Sequence, residues 1–232
     1  NSYTNTSYTF ADDTDVVDIS HLLVYAKDRF KDAYDLGRLV DTRQRRSIVG
    51  DYVLTPVDQM AHRTFPDTVV KHFSNYDMYG FPTHPLYLLH DPPKGEPFAC
   101  YLPYRCLLPK GLNGILVVGI GVSGETDVMP VIRMQPDVHN MRYAAGVAAA
   151  MATEQEQGLR EIDVRALQSH LVDIGSLPES VLTDTDSFPL PRNRIEAVVD
   201  DPEKNLEDLA VILGQPEDSL PLLRARYANA ES

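Results

Sequence analysis

Residues 119–124 read Gly-Ile-Gly-Val-Ser-Gly, a GxGxxG directly after the apolar run Ile115–Val118. Such glycines let backbone approach a pyrophosphate when a helix opens at once and an acidic residue lies about 20 positions on, after a second strand. Here Pro130 and Pro136 interrupt the downstream segment, and the helical pattern waits until about residue 138. The motif therefore reads as a glycine-rich loop leaving a strand. Ser123 suggests a nucleophile elbow, but GVSGE has Glu125 where the second glycine belongs. His84, His90 and Asp91 are metal-capable side chains without the spacing of a known metal motif, and they read as turn or surface groups. Arg43, Arg45 and Arg46 offer a clamp for phosphate or carboxylate, with exposed or ion-paired groups as the simpler reading. Cys100 and Cys106, the two thiols, have no nearby Cys/His pair and read as buried free cysteines. Arg133 and Arg142 flank the start of an Ala/Gly-rich helix, whose unpaired N–H groups suit the pyrophosphate or ring edge of a dinucleotide. Close packing of that helix on a sheet is the alternative.

The elements that must hold these residues emerge from periodicity and punctuation. Ser20 as N-cap, apolar residues at spacings of three and four from Leu22 to Ala33, and Gly37 as a stop predict one amphipathic helix. SIVGDYVLT (47–55), PLYLLHD (85–91), FACYLPYRCLLP (98–109) and GILVVGI (114–120) read as strands. Asp137 caps a long helix running to Gly158, and Asp163–Ile174 forms a second one. Residues 176–192 read as a linker or irregular crossing, Asp201-Pro202 opens a third helix ending near Gly214, and 217–229 forms a fourth. The acidic run Asp200, Asp201, Glu203, Glu207 and Asp208 reads as a solvated helix start.

With 232 residues and 43% hydrophobic content, the chain can bury a core. Its 21 basic against 34 acidic residues, net −13, disfavour nucleic acid and anionic lipid. No apolar run is long enough to cross a bilayer and no export signal opens the chain. The start, NSYTNTSYTF, lacks Met and reads like a strand under way, which points to a piece of a longer protein of unassigned compartment.

Three blocks carry a resemblance: RRSIVGDYVLT (45–55), YLPYRCLLPKGLNGILVVGIGV (101–122) and IRMQPDVHNMRYAAGVAAAMA (132–152). In order and separation they resemble successive blocks of the bacterial FAD-dependent oxidoreductase family, over about residues 20–175. The resemblance implies an α+β or mixed α/β architecture. Residues 1–112 would be substrate-side and β-rich with one N-terminal helix, 113–175 the returning strand and helices of the FAD-binding domain, and 176–232 a linker and helical appendage. It implies FAD in the intact parent, a small-molecule substrate, and a partner in the family's N-terminal FAD-binding segment, which carries the true GxGxxG. On this reading Ile115–Val118 is a late strand of the FAD sheet. Gly119, Ile120, Arg133, Asn140, Met141 and Arg142 lie at the flavin. Arg133 matches the family's arginine, whereas Gly119-Ile120 replaces Gly-Arg and Arg142-Tyr143 replaces Gly-Gln. The implied activity is hydride transfer between an organic substrate and flavin, with no acid or base assigned; Tyr104, Arg105 and His90 read as anchors of the β portion. The rival readings are a degenerate relative that lost the cofactor and serves as a binding or structural module, and a carbohydrate-related binding protein.

Overall fold

The structure, a computed structural model, describes residues 15–29, 31, 46–78, 82–201 and 205–230. By contact density the chain divides into two units, residues 1–46 with 78–81, and 47–77 with 82–232. In the first, α1 spans Val16–Arg29. Its cap is Asp15 rather than Ser20: Asp15 Oδ1 accepts the Val17 N–H at 2.8 Å, while Ser20 lies within the helix and donates to the Val16 carbonyl at 2.6 Å. Residues 1–10, 32–37, Arg43 and Arg45 lie outside the described residues, and Arg46 is exposed.

The second unit is α+β. Its one sheet among the described residues is an antiparallel pair, β1 (Thr68–Ser74) and β2 (Phe98–Pro103), with Val70 opposite Leu102 and His72 opposite Cys100. Helices α4 (Met129–Ile132), α5 (Gln135–Glu154) and α6 (Val164–Asp173) pack on β1. Leu102, Ile132, Met141, Ala144, Ala148, Leu167 and Leu171 bury fully in that core. The alanines of α5 bring its backbone close to the strands, and the opposite face leaves Arg142, Tyr143, Gly146 and Ala149 exposed. Asp163 caps α6 through Oδ1, which accepts the N–H groups of Arg165 and Ala166 at 2.9 and 3.1 Å.

Three of the expected strands are corrected. Residues 85–91 instead form α3 (Pro85–Leu89) after His84, whose Nδ1 accepts the Leu86 N–H. Pro85 at the first helical position favours that start, and an apolar run this short does not distinguish strand from helix. Residues 47–55 make only isolated bridges, Gly50 with Pro109 and Leu54 with Gly124. Their N–H groups are divided between 105–108, which takes Asp51 and Tyr52, and 121–123, which takes Ile48, Gly50 and Leu54, so neither neighbour pairs with them as a ladder. The run then enters α2 (Pro56–Met60) through a capping box between Thr55 and Asp58. Residues 115–118 are not a strand of a parallel sheet: Val117 N–H bonds the Leu107 carbonyl at 2.9 Å, and neighbouring described chain is loop. The 98–109 run is strand only to Pro103, because Asp67 captures the N–H groups of Tyr104 and Arg105 and turns the chain into a 3₁₀ turn.

The C-terminal part crosses the core irregularly before its helices. Leu177, Val181 and Leu190 are buried, and Arg192–Asp200 is a helix, α7. Asp201 follows α7 as its C-cap, so it does not open the next helix; α8 (Leu206–Gly214) starts at Asn205, whose Oδ1 accepts the Asp208 N–H at 2.8 Å. Pro202 and Glu203 lie outside the described residues. Helix α9 (Pro216–Ala230) packs with α7 and α8, while α8 also packs on α2 and α3.

Candidate functional site

The structure joins Gly119 to Met141. Met141 sits inside the first turns of α5 with no exposed surface, and its Sδ accepts the Gly119 N–H at 3.0 Å. Gly119 takes a positive φ of 73°, which a side chain disfavours, and opens a 3₁₀ turn over Gly119–Gly121. Gly119 is buried, and a Cβ built there would stand in ordinary contact with Val138 Cγ1 at 3.8 Å, so it is the positive φ rather than a lack of room that selects glycine here. Ile120 and Asn140 are half-buried and Arg142 is exposed. Arg133 lies apart from this joint. It ends α4 and donates through Nη2 to the Asp77 carbonyl at 2.5 Å and its carboxylate at 3.0 Å.

Gly124 and Ser123 of the motif serve packing. A Cβ on Gly124 would stand 2.7 Å from Val128 Cγ2, so this glycine is required by a close approach. Ser123 is fully buried and its Oγ accepts the Gly50 N–H at 2.9 Å, which is a structural staple rather than an exposed nucleophile. Ser123→Ala strands that buried N–H and lowers stability by about 1–3 kcal/mol. A urea unfolding curve with an unmoved midpoint would refute this role.

Other candidates are dispersed. His90 is exposed with Nδ1 2.7 Å from the Asp91 carbonyl, and Asp91 pairs with Lys94. Among the described residues no group of three or more His, Cys, Asp or Glu could hold a metal ion. Cys100 and Cys106 are buried and free. Burial pushes the Cys100 thiol up to about 12 and raises Cys106 well above its ordinary value, so both resist ionisation. Tyr104 donates to the Leu159 carbonyl at 2.8 Å; Arg105 pairs with Asp67 through Nε and Nη2 at 2.9 and 3.0 Å. Both are anchors.

Two networks lack a signal in the sequence because their members are distant along the chain. Arg63 donates to Tyr52 and Asp58 through Nη1 and to Asp186 through Nε and Nη2. Burial and the adjacent Asp58 carboxylate hold the Tyr52 phenol far above its ordinary range, keeping it neutral. In the second network Asp127, 1% exposed, binds the backbone of residues 83 and 84.

Among the described residues no helix is long and apolar enough to cross a membrane. No curated protein and no solved structure gives a significant match to the chain. The family model described as FAD dependent oxidoreductase matches residues 7–171, which takes in β1, β2, the 119–124 loop and α5. On that match, across most of its length, the chain belongs to the FAD dependent oxidoreductase family.

Proposed function

We propose that this chain forms one edge of a flavin pocket and part of a substrate wall, within an enzyme that transfers a hydride between an organic substrate and FAD. In this reading 1–112 contributes on the substrate side, 113–175 on the flavin side and 176–232 as an extension. The family's phosphate-binding strand-turn-helix comes from sequence outside residues 1–232. The observation that carries the reading is the joint of Gly119 with Met141, which fixes the 119–121 turn beside the start of α5.

The residues there fit an edge rather than a whole pocket. Ile120 stands half-buried at the turn, Asn140 offers an amide and Arg142 an exposed cation, while Met141 fixes the buried Gly119 from inside the core. Arg133 contributes by anchoring the α4–α5 corner to Asp77. FAD when bound supplies the redox chemistry. The protein's part is orientation, charge beside the ring and exclusion of water.

Expressed in one polypeptide with the coding sequence upstream of residue 1, the protein purifies yellow with flavin absorbance. A colourless product that takes up no added FAD overturns the reading and favours a cofactor-free relative. Residues 1–232 alone bind FAD negligibly, as measured by quenching of flavin fluorescence. Tight binding by this chain alone would refute the external phosphate site.

A further inference from the structure

Beyond Gly121 the loop turns away from α5 and, with residues 83–85 and Ser47, walls an open cleft of about 490 Å³. The lining carries the Glu125 and Asp127 carboxylates, the His84 imidazole and the hydroxyls of Ser47, Thr83 and Thr126, with no lysine or arginine among the described residues. Asp127 Oδ2 accepts the Thr83 and His84 N–H groups at 2.7 and 2.6 Å. Its Oδ1 is buried and has no hydrogen-bond partner, so the carboxylate's charge is only half satisfied. His84 Nδ1 accepts the Leu86 N–H at 3.1 Å, which places the proton of the neutral ring on Nε2. Nε2 stands 3.8 Å from Glu125 Oε2, too far for a hydrogen bond. Burial raises the Glu125 carboxyl above its ordinary value; His84 opposes that rise, and the like charges of Asp127 and Asp58 add to it. The cleft is thus a concentration of negative potential beside a carboxylate that remains reachable, at 42% side-chain exposure.

We propose that this cleft binds a small organic ammonium ion, its N–H groups donating to the Glu125 carboxylate and its charge seated against Asp127. The inference does not rest on the flavin reading. The absence of a lining cation speaks against an anionic ligand. A bare metal ion needs three or more donors converging at about 2.0–2.6 Å, and the described residues offer no such group. An ammonium ion tolerates longer, spread-out acceptors, and its alkyl part can lie along Pro85.

The test uses the full chain and n-butylammonium chloride, titrated calorimetrically with the histidine ring signals followed by NMR. Binding saturates at one site and perturbs the His84 ring signals. Glu125→Gln, which keeps shape and removes charge, weakens it about tenfold. Glu217→Gln on α9, outside the lining, leaves it unchanged. Affinity falls on acidification, because the cation favours the ionised form of Glu125, whose carboxyl burial holds above its ordinary value. Asp58 and Asp127 face the same carboxylate and contribute in the same sense. Non-saturating binding, equal binding by Glu125→Gln, or displacement by the neutral isostere 1-butanol would each overturn the proposal.

Discussion

Arg63→Ala lowers the free energy of unfolding by about 3–5 kcal/mol, the cost of removing one partner from a largely buried ion pair. The guanidinium donates to Tyr52 Oη at 2.8 Å, Asp58 Oδ1 at 3.0 Å and both Asp186 oxygens at 2.9 Å. It also stands 4.6 Å from the Phe188 ring centre and 5.0 Å from that of Phe65. Its loss leaves Asp58, 5% exposed, as a buried carboxylate held by Tyr52 and Thr55 alone. It also unties residues 186–188 from α2. Arg63→Lys restores the charge but not the fork that serves three acceptors at once, so it recovers only part of the loss. Urea unfolding checks both: the midpoint drops with an unchanged slope. An alanine variant within about 0.5 kcal/mol of the parent would show the cluster to be worth no more than a surface contact.

Met141→Ala lowers stability by about 2–5 kcal/mol, because the side chain is fully buried in the main core and its truncation leaves a void there. Met141→Leu conserves volume, costs under about 1.5 kcal/mol, and removes the sulfur that accepts the Gly119 N–H. The pair therefore separates filling from tethering. Amide exchange at Gly119 accelerates in both variants, and in the leucine variant it does so without global loss. Unchanged exchange in Met141→Leu would mean that the φ of Gly119 and the packing of Val138, not the sulfur contact, hold the loop.

The parts of the fold that the sequence reveals are those set by local rules. Helix α5 follows from its alanine content after Pro136, and α6 from Asp163 and the spacing of Leu167 and Leu171. The Asp163 cap opens α6 as expected, but α5 begins at Gln135 after Met134 with no side-chain cap and ends at Glu154, so Asp137 lies within its first turn instead of capping it and the helix stops short of Gly158. The strand readings failed where apolar content was mistaken for pairing: whether 47–55 or 115–118 joins a ladder depends on which chain lies beside it, and that is non-local. PLYLLHD failed for a different reason, since Pro85 after an accepting His84 starts a helix as readily as a strand. At the candidate site the GxGxxG was readable as a loop because no helix follows it at once. That Met141 would reach Gly119 across 22 positions was not readable from either residue. Arg63, Asp58 and Asp186 were missed because each is an ordinary surface type until a fold assembles them.

The family match ends at residue 171, inside α6, while the packing it belongs to continues through Leu177 and Val181. Farther on, Ala210 of α8 shares a cluster with Met60, Leu86 and Tyr87, residues within the matched region. Ancestry and cohesion therefore draw different borders here. A version trimmed where the kinship stops would leave a greasy scar over α2 and α3, a surface that invites clumping. The helices beyond the match therefore act as a roof for the part within it.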